Sequence, residues 1–224
     1  MNVTTSKSAG AVALSLLLLA LLGGCVEPRY LVTSASDDRA VLSGKSDGPR
    51  SPVLAHTRQP VIAAHAEIVP LRIDPRFSLH DRTRILQAIG EWNLVLNGFV
   101  RFDIVPPPTN GARATPIARS WLVVASPGFE VPRGPNGQVL AITLGQPGSG
   151  GMVVVYVDRL AGRDLVGVMR HELGHVLGLD HDPRGGLMAT HYSPHDQQCV
   201  DRAAAEAIAR LRKLALDQLN WCES

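Results

Sequence analysis

The sequence predicts an α+β fold, a sheet with its helices on one side. Five stretches between residues 69 and 158 carry the alternating or continuous apolar pattern of strands. Three others, near 78–97, 164–177 and 201–219, carry the 3.6-residue period of amphipathic helices. Their order is strand, helix, three short-linked strands, a further strand, helix, turn and helix. All of it falls within 61–224, a length that suits one domain.

Residues 1–24 are a targeting segment rather than part of the fold. Lys7 supplies a positive start, an apolar run at 9–22 is too short to span a bilayer comfortably, and Leu22-Gly23-Gly24-Cys25 closes it. This ending resembles a bacterial lipobox, which implies cleavage before Cys25, lipidation of its thiol and export to a membrane. An ordinary secretory cleavage site and an uncleaved anchor are the alternatives. Val26 is not the aspartate associated with inner-membrane retention, so the outer membrane is the expected destination, on its periplasmic side or at the cell surface. Residues 25–60 are polar and broken by Ser, Gly and Pro, with neither period. They read as a flexible tether, about 30 Å end to end as a coil, or as a short pro-segment. Cys25 is the one cysteine there and is the expected lipid site, so a cysteine-based latency switch is not expected.

The folded part begins near residue 61. Val69, Leu71 and Ile73 alternate as a first strand. Ser78 and Asp81 resemble a capping box for a helix whose inward positions are Ile85, Ala88, Ile89, Trp92 and Leu96, ending near Asn97-Gly98. Val100, Phe102 and Ile104 form a second strand, stopped by Pro106-Pro107-Pro108. Residues 121–125, 138–144 and 152–158 form three more. The last is apolar on both faces, as a central strand is. Asp164 caps the next helix, which turns Leu165, Val168, Met169, Leu173 and Val176 inward. A final helix spans about 201–219. Between Cys199 and Cys222 an unbroken helix would hold the sulfurs about 30 Å apart. A disulfide therefore requires that helix to stop early and the tail to fold back, and both outcomes stay open. The net charge of +2, without a basic block interleaved with aromatics, gives no indication of nucleic acid as a partner.

The chemistry lies in HELGHVLGLDH at 171–181, which reads H-E-x-x-H-x-x-G-x-x-H. On a helix, His171 and His175 share one face at i, i+4. Gly178 suits a left-handed exit from the helix that brings His181 back as a third nitrogen. Three imidazoles leave one tetrahedral position of Zn²⁺ open, the pattern of a catalytic site. Zinc lowers the pKa of a bound water, and Glu172 is placed to take its proton. Five such fixed positions should meet by chance about once in 10⁵ chains of this size, so the pattern is read as a metal site. Asp180 and Asp182 flank the third ligand, and either could orient a ligand ring. His191 and His195, near Asp196, are read as solvated loop residues, with a second metal site as the alternative.

The motif resembles the metzincin zinc endopeptidases, in which this spacing precedes a methionine in a tight turn. Met188, within Gly185-Gly186-Leu187-Met188, stands where that turn makes a floor under the metal. The element order is similar to that of the matrixins. Further likeness comes from residues 134–141 followed by Gln146-Pro147-Gly148, and from Trp92 and Phe102. The resemblance implies a twisted, mostly parallel five-stranded sheet with an antiparallel edge strand, an active-site helix, a Met-turn and a C-terminal helix. It also implies a substrate-binding edge at Val139, Leu140, Ala141 and Ile142, and a selectivity wall at 189–198. Ile142 and Val154 stand where matrixins carry histidines for a structural zinc, so one zinc is expected. Tyr192 stands four residues after Met188 rather than two, which argues against an astacin-like tyrosine ligand.

The expected function is that of a lipid-anchored zinc endopeptidase, monomeric, acting on peptide or protein substrates outside the cytoplasm. The alternatives are an envelope binding protein on the same fold and a zinc amidase acting on peptidoglycan peptides.

Overall fold

The computed structural model describes residues 29–32, 66–106, 119–126, 138–160, 163–193, 195–196 and 198–222. The five expected strands are β2 (Glu67–Ile73), β3 (Val100–Ile104), β4 (Trp121–Ala125), β5 (Val139–Gln146) and β6 (Gly150–Val155). β2 pairs in parallel with β3 and β4, and β4 in parallel with β6. β5 runs antiparallel beside β6, with Ala141 opposite Val155 and Gln146 opposite Gly150. Mostly parallel strands with one antiparallel edge are the expected sheet, and β6 is central in it.

A sixth strand comes from the stretch read as a tether. β1 (Arg29–Val32) pairs antiparallel with β5, giving the order β1-β5-β6-β4-β2-β3. An antiparallel edge strand leaves a row of N–H and C=O groups unpaired, and an extended segment within reach can satisfy them. Four residues are too few to show a period, so the unstructured reading fails at 29–32.

Helix α1 (Leu79–Val95) starts at Ser78, whose hydroxyl oxygen accepts from the Asp81 N–H at 3.1 Å and donates to the Asp81 carboxylate at 2.6 Å. It lays Ile85, Ala88, Ile89, Trp92 and Val95 into the core. Helix α2 (Leu165–Val176) is capped by the Asp164 carboxylate, which accepts from the N–H groups of Val166 and Gly167. All twelve α2 residues are buried, which is unusual for a helix carrying Arg, His and Glu. Apart from the Glu172 Oε1, the polar side-chain groups described there are matched instead of solvated. Arg170 forms a two-pronged pair with Glu91 of α1, and its carbonyl accepts from the Trp92 indole N–H at 2.9 Å.

The final helix, α3 (Arg202–Arg212), is shorter than the sequence pattern predicts. Lys213 takes a left-handed conformation (φ 55°), and Leu214 donates back to the Ala209 carbonyl. The tail then turns under α1. The Asn220 side chain donates to the Leu94 carbonyl at 2.7 Å, and its N–H donates to the Val95 carbonyl. This early stop allows the Cys199–Cys222 disulfide, whose Cα atoms are 6.3 Å apart.

Candidate active site

The site is built on the end of α2. The Gly178 N–H donates to the His175 carbonyl and the Leu179 N–H to the Gly174 carbonyl, at 3.0 and 2.9 Å. That pair of bonds is a Schellman turn, and Gly178 supplies its positive φ of 99°. The turn does two things. It aims the Leu179 carbonyl at His175, whose Nδ1 lies 2.8 Å from it, and it sends the chain back so that His181 faces the helix.

The His175 Nε2 is 3.0 Å from the His171 Nε2 and 3.2 Å from the His181 Nε2. Four-coordinate zinc with nitrogen ligands would set such atoms about 3.3 Å apart. His171 Nδ1 lies 2.8 Å from the Leu187 carbonyl. Because carbonyls only accept, Nδ1 is the protonated nitrogen in His171 and His175, and Nε2 carries the lone pair. Buried lone pairs this close repel one another unless a cation lies between them. Burial also drives the His171 imidazole down to about 3, so it stays neutral. The donor set therefore fits one zinc ion. Among the described residues these histidines are the group able to hold a metal, and His191, His195 and Asp196 do not form another.

Glu172 is wholly buried, and burial raises its carboxyl to about 8. The Thr143 hydroxyl of β5 donates to its Oε2 at 2.5 Å, which opposes that rise, while Oε1 is buried without a partner. One oxygen is thus fixed, and the other is left to accept a proton. Thr143 was missed by sequence reasoning, because the contact spans 29 residues and its own position reads as plain strand.

The Met-turn lies behind the helix. Gly185 and Gly186 have φ of 102° and 73°, and Ala189 donates to the Gly186 carbonyl. Met188 is buried against Gly174, where an added Cβ would stand 2.5 Å from the Met188 sulfur. Asp201 is a second residue that sequence reasoning missed. One of its carboxylate oxygens caps α3 by accepting from Ala204, and the other accepts from the Leu187 N–H at 2.9 Å. Leu187 in turn accepts from His171. A helix cap thereby holds the turn that orients a ligand, and the only local signal was an aspartate ahead of an alanine-rich run.

Several other candidates are also placed. The Tyr192 hydroxyl accepts from the Asp164 N–H at 3.1 Å, at the start of α2. Asp182 pairs with Arg184, which pulls its carboxyl down to about 2. Of the substrate-edge residues, Val139, Leu140 and Ala141 are buried and Ile142 is half-buried. The edge carries β1, with Arg29 opposite Thr143 and Val32 opposite Val139. Cys25, the rest of the leader, the tether apart from 29–32, and residues 134–137 lie outside the described residues.

A mostly parallel sheet, a helix presenting two histidines, a third returned by a glycine turn, and a methionine behind them define a metzincin-type zinc peptidase domain. The family model for matrixin matches residues 37–212, and the chain belongs to the matrixin family. Among solved structures it is similar to high choriolytic enzyme 1, a hatching-enzyme zinc protease of the medaka fish Oryzias latipes. Identity there is 20% over 51% of this chain and 44% of that one, with a TM-score of 0.30. It is also similar to metalloproteinase-II of Bacteroides fragilis (15% identity, 80% and 64% covered, TM-score 0.45). For archaemetzincin of Methanopyrus kandleri the values are 18%, 66% and 96%, and 0.43. The chain thus spans less than half of the hatching enzyme it matches. No curated protein matches it.

Proposed function

We propose that this chain is an endopeptidase, exported and anchored through a lipid on Cys25, that cleaves extended peptides laid along β5. The observation that carries the proposal is the convergence of three imidazole Nε2 atoms, that of His175 lying 3.0 Å from His171 and 3.2 Å from His181, beside the helix that also bears Glu172. Zinc, when bound there, supplies a Lewis acid and lowers the pKa of the attacking water. His171, His175 and His181 would hold it. Glu172 accepts the water proton at Oε1 while Thr143 fixes Oε2, and it passes the proton to the departing amine nitrogen. The backbone of β5 offers the N–H and C=O groups that an extended substrate needs. A cavity of about 350 Å³ beside the Met-turn, lined by Thr190, His191, Tyr192, Ser193 and Asp196 among others, would receive a substrate side chain.

The test is Glu172→Ala. It should retain zinc and fold while peptide hydrolysis falls by about 10²–10⁴-fold; undiminished hydrolysis would refute the assignment. For the anchor, Cys25→Ala should release the protein from membranes, and a variant that stays membrane-bound would refute lipidation.

A further inference from the structure

On three adjacent strands the sheet exposes one large apolar side chain each, and the three stand in a row. Leu144 of β5 is opposite Met152 of β6, and Met152 is opposite Leu122 of β4. They are 41%, 38% and 37% exposed. Alternation puts them on the face away from α2, because their strand neighbours Thr143, Val153 and Trp121 turn inward. Half-buried Ile142, Val154 and Val124 form the next row of that face. Scattered apolar residues on a surface need no explanation, but a contiguous patch marks an interaction surface. Arg72 of β2, opposite Leu122, ends the row with a positive charge.

What this surface meets is indicated by where the chain enters the sheet. β1 begins at Arg29, which is paired with Thr143, one position before Leu144. Cys25 lies four residues ahead of Arg29, so their Cα atoms are at most about 14 Å apart even when the chain is fully extended. A lipid on Cys25 therefore brings the bilayer surface within reach of the apolar row. A second copy of the chain could cover the same row, but only the bilayer is brought to it by the covalent structure.

We propose that the outer sheet face at Leu144, Met152 and Leu122 is a membrane-contact surface, seated on the bilayer that holds the Cys25 lipid. This rests on the lipid anchor proposed above. No described helix is long and apolar enough to cross a membrane, and the contact is made at the lipid surface. The apolar side chains enter the boundary between headgroups and acyl chains, and Arg72 meets the lipid phosphates. The anchor alone would retain the protein and leave it free to rotate. The apolar row decides which side faces the lipid. Because α2 packs on the other face of the sheet, the histidine cluster is turned away from the bilayer, toward polypeptides in the surrounding compartment.

The experiment uses the full-length, lipidated, zinc-loaded protein in vesicles of phosphatidylethanolamine and phosphatidylglycerol. Leu122→Cys and Met152→Cys are each labelled with a fluorophore. Leu86→Cys is the control, a comparably exposed apolar residue on α1, on the helix side of the sheet. With Cys25 lipidated and Cys199 bonded to Cys222, the introduced thiol is the one free to react. Flotation reads vesicle association. Quenching by aqueous iodide and by a lipid-borne nitroxide reads where each label sits.

We expect all three proteins to float. At 122 and 152, iodide quenching should be severalfold weaker than in the same labelled protein carrying Cys25→Ala in solution, and the nitroxide should quench there and not at 86. Floating protein in which iodide reaches 122, 152 and 86 alike would overturn the contact and leave the anchor standing. Shielding already present in the unlipidated protein in solution would also overturn it, since a second copy or another part of the chain would then cover the row. Protein that does not float would refute the anchor and the contact with it.

Discussion

The histidine cluster and the β5 edge lie on either side of Glu172 and are held in opposite ways. Each well-placed ligand has a backbone partner behind it: Leu187 for His171, and Leu179 for His175. Leu187 is itself gripped by Asp201, and Leu179 sits in the Schellman turn. The centre is thus buried and over-determined, which is what fixed ligand geometry requires. The edge has little side-chain apparatus beyond Thr143, and it is held by backbone pairing with β1 on one side and β6 on the other.

Weakening the rigid side should show how far its support extends. The Cys199–Cys222 bridge clamps the stretch that begins with Asp201. Replacing both cysteines with serine should cost about 3 kcal/mol of unfolding free energy, read by denaturant titration of the oxidised protein and the variant. If the Asp201–Leu187–His171 chain carries the clamp to the metal, zinc affinity should fall with it. Gly174→Ala comes next, because its Cβ would meet the Met188 sulfur. Overpacking there should cost about 1–3 kcal/mol, and an unchanged denaturation midpoint would show that the Met-turn yields freely.

The smallest effect joins the two sides. Thr143→Val removes the hydroxyl bond to Glu172 at nearly constant shape. It should lower kcat about tenfold, the worth of roughly one hydrogen bond to a charged group, with KM little changed and Thr143→Ser restoring the rate. A loss that appeared only in KM would assign Thr143 to the peptide edge instead of to the base.

The converging histidines and the caps at Ser78 and Asp164 were legible because each signal is local. A ligand spacing of four and a polar residue just before an apolar period are written within a few positions. The five strands from Glu67 to Val155 were legible by alternation or, for the last, by a continuous apolar run. What stayed hidden depends on distant partners. Arg29–Val32 becomes a strand only because β5 offers an edge more than a hundred residues away. The stop at Arg212 has no glycine or proline to announce it, since Lys213 is held left-handed as the tail turns back to pair with Leu94 and Val95. The disulfide followed from that stop and could not be decided without it. Thr143 and Asp201 look like an ordinary strand residue and an ordinary cap until the fold brings Glu172 and Leu187 to them.

The most direct test of the central claim is zinc content measured beside cleavage of an unfolded protein, for the wild type and Glu172→Ala. One zinc per chain is expected in both proteins, with cleavage in the wild type that chelation abolishes and that the variant lacks. A wild-type protein that binds no zinc, or that cleaves equally well after chelation, would contradict it.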